Sequence, residues 1–308
     1  MEFTVEKSGM RLDKFLAEHY TGLSRSQFQR AIKNGAIKVN GETAPKAGVF
    51  LKKGDRITIL EEKIITPGKN FVVEPEPDIK LEIIYEDSDV VVINKPAGLL
   101  VHPTISQSRH TLANALVARY PEMKSVGENP LRPGIVHRLD KDTSGLIIAC
   151  KNQKSFEFVK AQFLNRKVIK KYLALVEGVP AEKSGTIAFD IRPSKMNRLK
   201  KVAVKKNEPQ KKSRRTATTD YLVTKTFGNE FALVEVMPKT GRTHQIRVHL
   251  SAIGHPIVGD RLYGSKSKLL KRQFLHAYYL KFKTPSNKEL ALEVAPSEDL
   301  KKTLDSLQ

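Results

Sequence analysis

From residue 81 onward the chain carries eight apolar runs of strand length and only four stretches with helical spacing, in no regular alternation. The runs are "LEIIYED", "DVVVINKP", "GIVHRL", "GLIIACK", "VIKKYLALVEG", "TTDYLVTKTF", "EFALVEVMP" and "FLHAYYLKF". Helical spacing is confined to "TLANALVARY", "KSFEFVKAQFLN", "THQIRVHLSAI" and "SEDLKKTLDSL". A doubly wound parallel sheet needs strand and helix in turn, so the pattern predicts an α+β fold with a predominantly antiparallel mixed sheet. "KTFGNEFAL" reads as a hairpin, which agrees with antiparallel pairing.

The first 60 residues read as a separate small α/β module. Leu12, Phe15 and Leu16 recur at helical spacing, and Ser24 with Gln27 makes a capping box for a second helix whose inner face carries Phe28 and Ile32. Gly35 ends that helix. "IKVNG" and "GDRITIL" then give two strands, the first running into an Asn-Gly turn. Arg11, Lys14, Arg25, Arg30 and Lys33 decorate the module. Residues 61–80, rich in Pro and Glu, read as a linker to a larger domain over 81–308.

Charge narrows the partner. The 308 residues carry a formal net charge of +21, which favours a polyanion through counterion release. Residues 192–215 concentrate it, with eleven Lys and Arg against the single acid Glu208. That cluster reads as a binding footprint or a mobile arm. No run of eighteen apolar residues is present, so no membrane span is expected. The N-terminus lacks a secretory pattern, and Cys150 is the only cysteine, so the expected compartment is the cytoplasm.

Asp140 sits in "RLDKDTSG", a polar turn between apolar runs. A hairpin turn alone would account for it. In "TGRTHQIRVHLSAIG", Ile246, Leu250 and Ile253 form the buried stripe of a helix, while His244 and Arg247 share another face. An arginine beside Asp140 would hold the carboxylate ionised, fit to act as nucleophile or base. Arg247 read alone could equally be a phosphate contact, and Tyr172 in "KKYLALV" could be core packing or a platform for a base. His244 and His249 are five apart, wrong for two metal ligands on one helical face, and Asp140 with Asp142 is an isolated pair. "NKPAGL" lacks the phosphate-loop spacing. Neither a metal nor a nucleotide cofactor is expected.

Taken together, "NKPAGLLVHP", "GIVHRLDKDTSGL", "KKYLALVEG", "TGRTHQIRVHL", "GDRLYG" and "FLHA", in this order, resemble the RluA-type pseudouridine synthases, over roughly residues 80–300. The first 60 residues resemble the S-four-type RNA-binding domain, a layout similar to the RluD-like branch. The RsuA-like sister family also pairs such a domain with a synthase, but its motif lacks the counterparts of His137 and Thr143-Ser144-Gly145.

The resemblance implies the pseudouridine synthase fold and isomerisation of uridines in structured RNA, here 23S ribosomal RNA of the large subunit, by a monomer. It implies Asp140 as the essential aspartate, Arg247 as its basic partner, and Tyr172 as the ring stacking on the flipped uracil. It further implies Arg138 as the side chain refilling the RNA stack, Leu275 as pocket lining, and Arg242 as a backbone contact. Arg11, Arg25, Arg30 and Lys33 are expected to bind RNA. Leu146 is expected beside Leu275 as an apolar wall excluding water.

An isomerase whose base stays in the pocket needs one carboxylate, whereas glycoside hydrolysis needs two. Asp140 could attack the sugar or remove a sugar proton. The alternative class is a non-catalytic RNA-binding factor in ribosome assembly, indifferent to Asp140.

Overall fold

The computed structural model describes the chain except residues 21–22, 24, 61–72, 105–106, 195, 198 and 205–212, and except the side chains of Ser26 and Arg30. The expected cap at Ser24 and most of the expected linker lie outside the described residues. Two compact units result, Met1–Val72 and Val73–Gln308.

The first unit holds β1 (Glu2–Thr4), α1 (Leu12–His19), α2 (Arg25–Lys33), β2 (Ile37–Val39), β3 (Glu42–Thr43) and β4 (Arg56–Ile59). Its antiparallel sheet has the order β1-β4-β2-β3. Asn40 and Gly41 both take positive φ, 53° and 86°, as a two-residue hairpin between β2 and β3 demands. Leu12, Phe15 and Leu16 from α1 meet Phe28 and Ile32 from α2 over Ile37 and Ile57, making the unit's own core.

The second unit is built on one nine-stranded sheet. Its strands are β5 (Glu82–Glu86), β6 (Val90–Lys95), β7 (Ser144–Cys150), β8 (Ile169–Glu177), β9 (Ser184–Ile187), β12 (Thr219–Phe227), β13 (Phe231–Pro238), β14 (Leu275–Lys283) and β15 (Glu289–Glu293). The order is β5-β6-β7-β14-β8-β13-β12-β9, with β15 also pairing β14. Every pairing is antiparallel except β7 with β14. The α+β expectation therefore holds. The helices α3 (Leu112–Arg119), α4 (Gln153–Leu164), α5 (Gln245–Ala252) and α6 (Glu298–Asp305) complete the unit.

Alternation along the central strands explains why both faces of the sheet are covered. Val91, Ile93, Ile147 and Ala149 face one core with Leu116, Tyr172 and Leu250. Val90, Val92, Leu146, Ile148 and Cys150 face the other, against Phe156 and Val159 of α4. All seven residues of β7 are buried, as a strand apolar on both faces requires.

Three sequence expectations change. "GIVHRL" is not a strand: among its residues only Ile135 bridges, to Ala149. His137 Nε2 accepts from the Ile148 amide at 2.9 Å, so a side chain takes the place of a ladder bond and the segment runs on to Asp140 without one. The helix expected from Thr243 begins at Gln245, because His244 adopts a left-handed φ of 58°. Part of the basic stretch 192–215 is a hairpin, β10 (Asp190–Pro193) with β11 (Lys201–Val204), which its charge had masked. No helix among the described residues is long and apolar enough to cross a membrane.

Candidate active site

The turn that carries Asp140 is fixed by its backbone. Thr143 N donates to Asp140 O at 3.1 Å, closing the turn. Lys95 Nζ donates to the carbonyls of Lys141 at 2.9 Å, Pro96 at 2.7 Å and Leu99 at 2.9 Å. Arg272 Nη1 reaches Asp142 O at 3.0 Å. Lys95 is completely buried, and burial pushes it down to about 7, against the pull of Asp142 and Asp140. Beyond the turn, Gly145 has φ +112°, and an added Cβ would lie 2.2 Å from Ala277 O. Only glycine lets β14 come this close, so the turn is bolted to the parallel pair at the centre of the sheet.

Arg247 faces Asp140 from α5, with Nη1 3.1 Å from Asp140 Oδ2. Its other two contacts go to Asp260, Nε to Oδ2 at 2.6 Å and Nη2 to Oδ1 at 2.9 Å, a bidentate grip. Burial alone would lower the Arg247 pKa, but the carboxylates of Asp260 and Asp140 outweigh it and raise it above its ordinary value. His244 Nε2 lies 3.9 Å from the same Asp140 Oδ2. Asp140 Oδ1 has no hydrogen-bond partner among the described residues. The carboxylate is thus held by one oxygen, while the other is unpaired among the described residues.

Asp140 opens into a cavity of about 630 Å3 that Arg138, Tyr172, Arg242, Arg247 and Leu275 also line. Eight of its lining residues are Lys or Arg and Asp140 is the sole carboxylate, so the cavity suits an anionic phosphodiester chain and not a cationic ligand. Tyr172 is buried, and its phenol is pushed up by that burial with the Asp140 charge adding to it. Arg138 is exposed, and Arg242 donates from Nε to Thr216 O at 3.1 Å.

Leu146 is not part of this wall. It points to the opposite face of β7, packed with Val90, Ile148 and Phe156, because the period of two along a strand turns it away from the Asp140 side.

In the first unit, Arg11 and Arg25 converge on the buried Asp13, at 3.0 and 2.9 Å, while their own side chains stay about half exposed. Burial would raise the Asp13 pKa, but the hydrogen bonds from Arg25, Gln29 and Arg11 hold it far below the usual carboxylate range. Lys33 is exposed, and the Arg30 side chain lies outside the described residues.

Asp260, which grips Arg247, and Lys95, which braces the turn of Asp140, are positions that residue-by-residue reading missed. Both stand inside the quoted motifs "GDRLYG" and "NKPAGLLVHP". A lysine ending the apolar run "VVVINK" is the usable signal, since a buried ammonium must find several acceptors.

Comparison with known proteins identifies the family of both units. The family model described as RNA pseudouridylate synthase matches residues 89–252, and that of the S4 domain matches residues 10–57. A protein of Aquifex aeolicus named as an RNA pseudouridine synthase is 38% identical over 325 residues, covering 100% of this chain and 97% of its own. Ribosomal large subunit pseudouridine synthase D of Borreliella burgdorferi is 38% identical over 290 residues, covering 93% of this chain and 86% of its own. The solved structure of human RNA pseudouridylate synthase domain containing 1 superposes with a TM-score of 0.57 at 28% identity, over 76% of this chain and 97% of that one.

Proposed function

Since the chain belongs to the RNA pseudouridylate synthase family, and is thereby an isomerase acting on RNA, we propose that it converts uridines of 23S ribosomal RNA to pseudouridine with Asp140 as the reacting carboxylate. The large-subunit target is supported by relatives that carry that name in Borreliella burgdorferi and Zymomonas mobilis. The observation that carries the chemistry is the Asp140–Arg247 pair at 3.1 Å in a basic cavity that Tyr172 also lines.

Isomerisation breaks the bond from ribose C1′ to uracil N1 and forms one from C1′ to C5. N1 gains a proton and C5 loses one, so no water enters the balance. A second catalytic carboxylate, which hydrolysis would need, has no part to play. Asp140 Oδ1 meets the sugar while Arg247 keeps Oδ2. A nucleotide inside folded RNA must first leave its stack, at a cost of a few kcal/mol. Stacking on Tyr172 returns about 1–3 kcal/mol, and Arg138 at the exposed rim fills the vacated place. The first unit, with its Asp13-braced Arg11 and Arg25, adds phosphate contacts and hence salt-sensitive affinity.

The test is Asp140→Asn, read by mapping pseudouridine in ribosomal RNA transcripts treated with each protein. Loss of product with RNA binding retained is the expected outcome. Normal product from the variant would refute the assignment and leave a binding factor in its place.

A further inference from the structure

We propose that His244 is a positioning residue whose Nε2–H, set by a hydrogen bond from Tyr263, steadies Asp140 Oδ2 and leaves Oδ1 as the oxygen that meets the ribose. The proposal rests on Asp140 being the reacting carboxylate.

Tyr263 Oη lies between the Lys201 amide and the His244 ring. The Lys201 amide sits 2.9 Å from Tyr263 Oη, and an amide N–H can only donate. With one side of Oη taken by that amide, the phenol is free to turn its single hydrogen to His244 Nδ1, 2.9 Å away, and this is the arrangement the proposal takes. Nδ1 is then an acceptor and carries no proton. A neutral imidazole in that state has its hydrogen on Nε2, the nitrogen 3.9 Å from Asp140 Oδ2.

Burial lowers the His244 pKa. Among the charged groups around it, Arg247 and Lys201 act with burial, while Asp140 and Asp260 oppose it. The neutral form is the one the buried site favours. At 3.9 Å the contact exceeds a hydrogen bond, and contacts of this kind shorten when a substrate fills the site.

Two more observations point the same way. Among the described residues His244 is one of five non-glycine residues with a left-handed backbone, φ +58°, a cost that persists only where surrounding contacts over-determine it. Tyr263 also meets both partners of Oδ2. Its ring is edge-on to the His244 ring at 5.7 Å, and the Arg247 guanidinium lies 5.0 Å from the ring centroid. One tyrosine thus orients the two groups that face one oxygen of the carboxylate. Lys201 opens β11, so the basic hairpin is joined to this chain of contacts through its backbone.

The test uses the full-length protein in two arms. In the first, selective 15N labelling of the eight histidines reports the ring protonation of each, with His244→Asn assigning the signal. The Nε2–H form is expected near neutral pH, and a mixture of forms in Tyr263→Phe. A resting Nδ1–H form, an imidazolium, or a Tyr263→Phe spectrum like that of the parent would overturn the proposal.

In the second arm, His244→Gln keeps an N–H near the Nε2 position, and His244→Asn does not. Asn tolerates a left-handed backbone, so the turn survives. The Asn variant should lose about 10- to 100-fold in kcat with KM unchanged, the effect of one hydrogen bond to a charged group, and Gln should recover most of it. Equal losses in both variants, or a change confined to KM, would also overturn it. If the parent protein itself made no pseudouridine, the functional reading would fail while the labelling arm still stood.

Discussion

Asp260→Asn isolates what holds Arg247 in place. Asp260 is 2% exposed and Arg247 is 7% exposed, so neither charge can turn to water. The native carboxylate accepts at both oxygens, 2.6 and 2.9 Å from the guanidinium. An asparagine offers one acceptor and one amide donor, so one guanidinium N–H would face another donor. Removing one partner of a buried pair costs about 3–5 kcal/mol. Asp140 stays 3.1 Å away and retains part of the pairing, so the lower end, about 3 kcal/mol, is expected. That is more than a hundredfold in the folded-to-unfolded ratio, a large part of the roughly 5–15 kcal/mol of a typical domain.

The assay is urea unfolding of the full-length chain followed by hydrogen exchange, which separates the two compact units. Only the transition of the second unit should move, with its urea slope unchanged, and kcat should fall because Arg247 loses its anchor. Asp260→Asn combined with Asp140→Asn should depart from additivity, since both carboxylates share one guanidinium. A loss below about 1 kcal/mol, or strict additivity, would refute the account of Arg247 as a cation fixed by Asp260 and lent to Asp140.

Two further predictions concern the scaffold. His102 and His276 are buried and each is pushed down to about 4, by burial first in both cases. The unfolded chain then binds more protons between about 4 and the ordinary value near 6.5. Stability should be full above that range and fall as pH drops through it, and replacing both residues by Gln should flatten the dependence of the urea midpoint on pH. An unchanged slope in the double variant would show the protons bind elsewhere. Leu146→Ala should destabilise the second unit by about 2–5 kcal/mol through the cavity it leaves against Phe156, while KM and kcat stay at parent values. A rise in KM would return Leu146 to the pocket wall.

Much of this protein was determined by its sequence alone. The α+β class and the small basic N-terminal module were legible there, while Asp140, Tyr172, Arg247 and Leu275 were joined as one site only by the resemblance of the ordered motifs to a known family. Period-two alternation, turn residues and motif order are local properties, and they survive folding because each element's own chemistry specifies them. What lay beyond the sequence depends on which elements meet. The grip of Asp260 on Arg247, the burial of Lys95 under the 140–143 turn, and the turn of Leu146 to the far face of β7 are set by packing between distant segments. So is the split of the Asp140 carboxylate into a held oxygen and a free one. A buried charge takes whatever counter-group three-dimensional packing brings within about 3 Å, and no spacing along the chain records that choice.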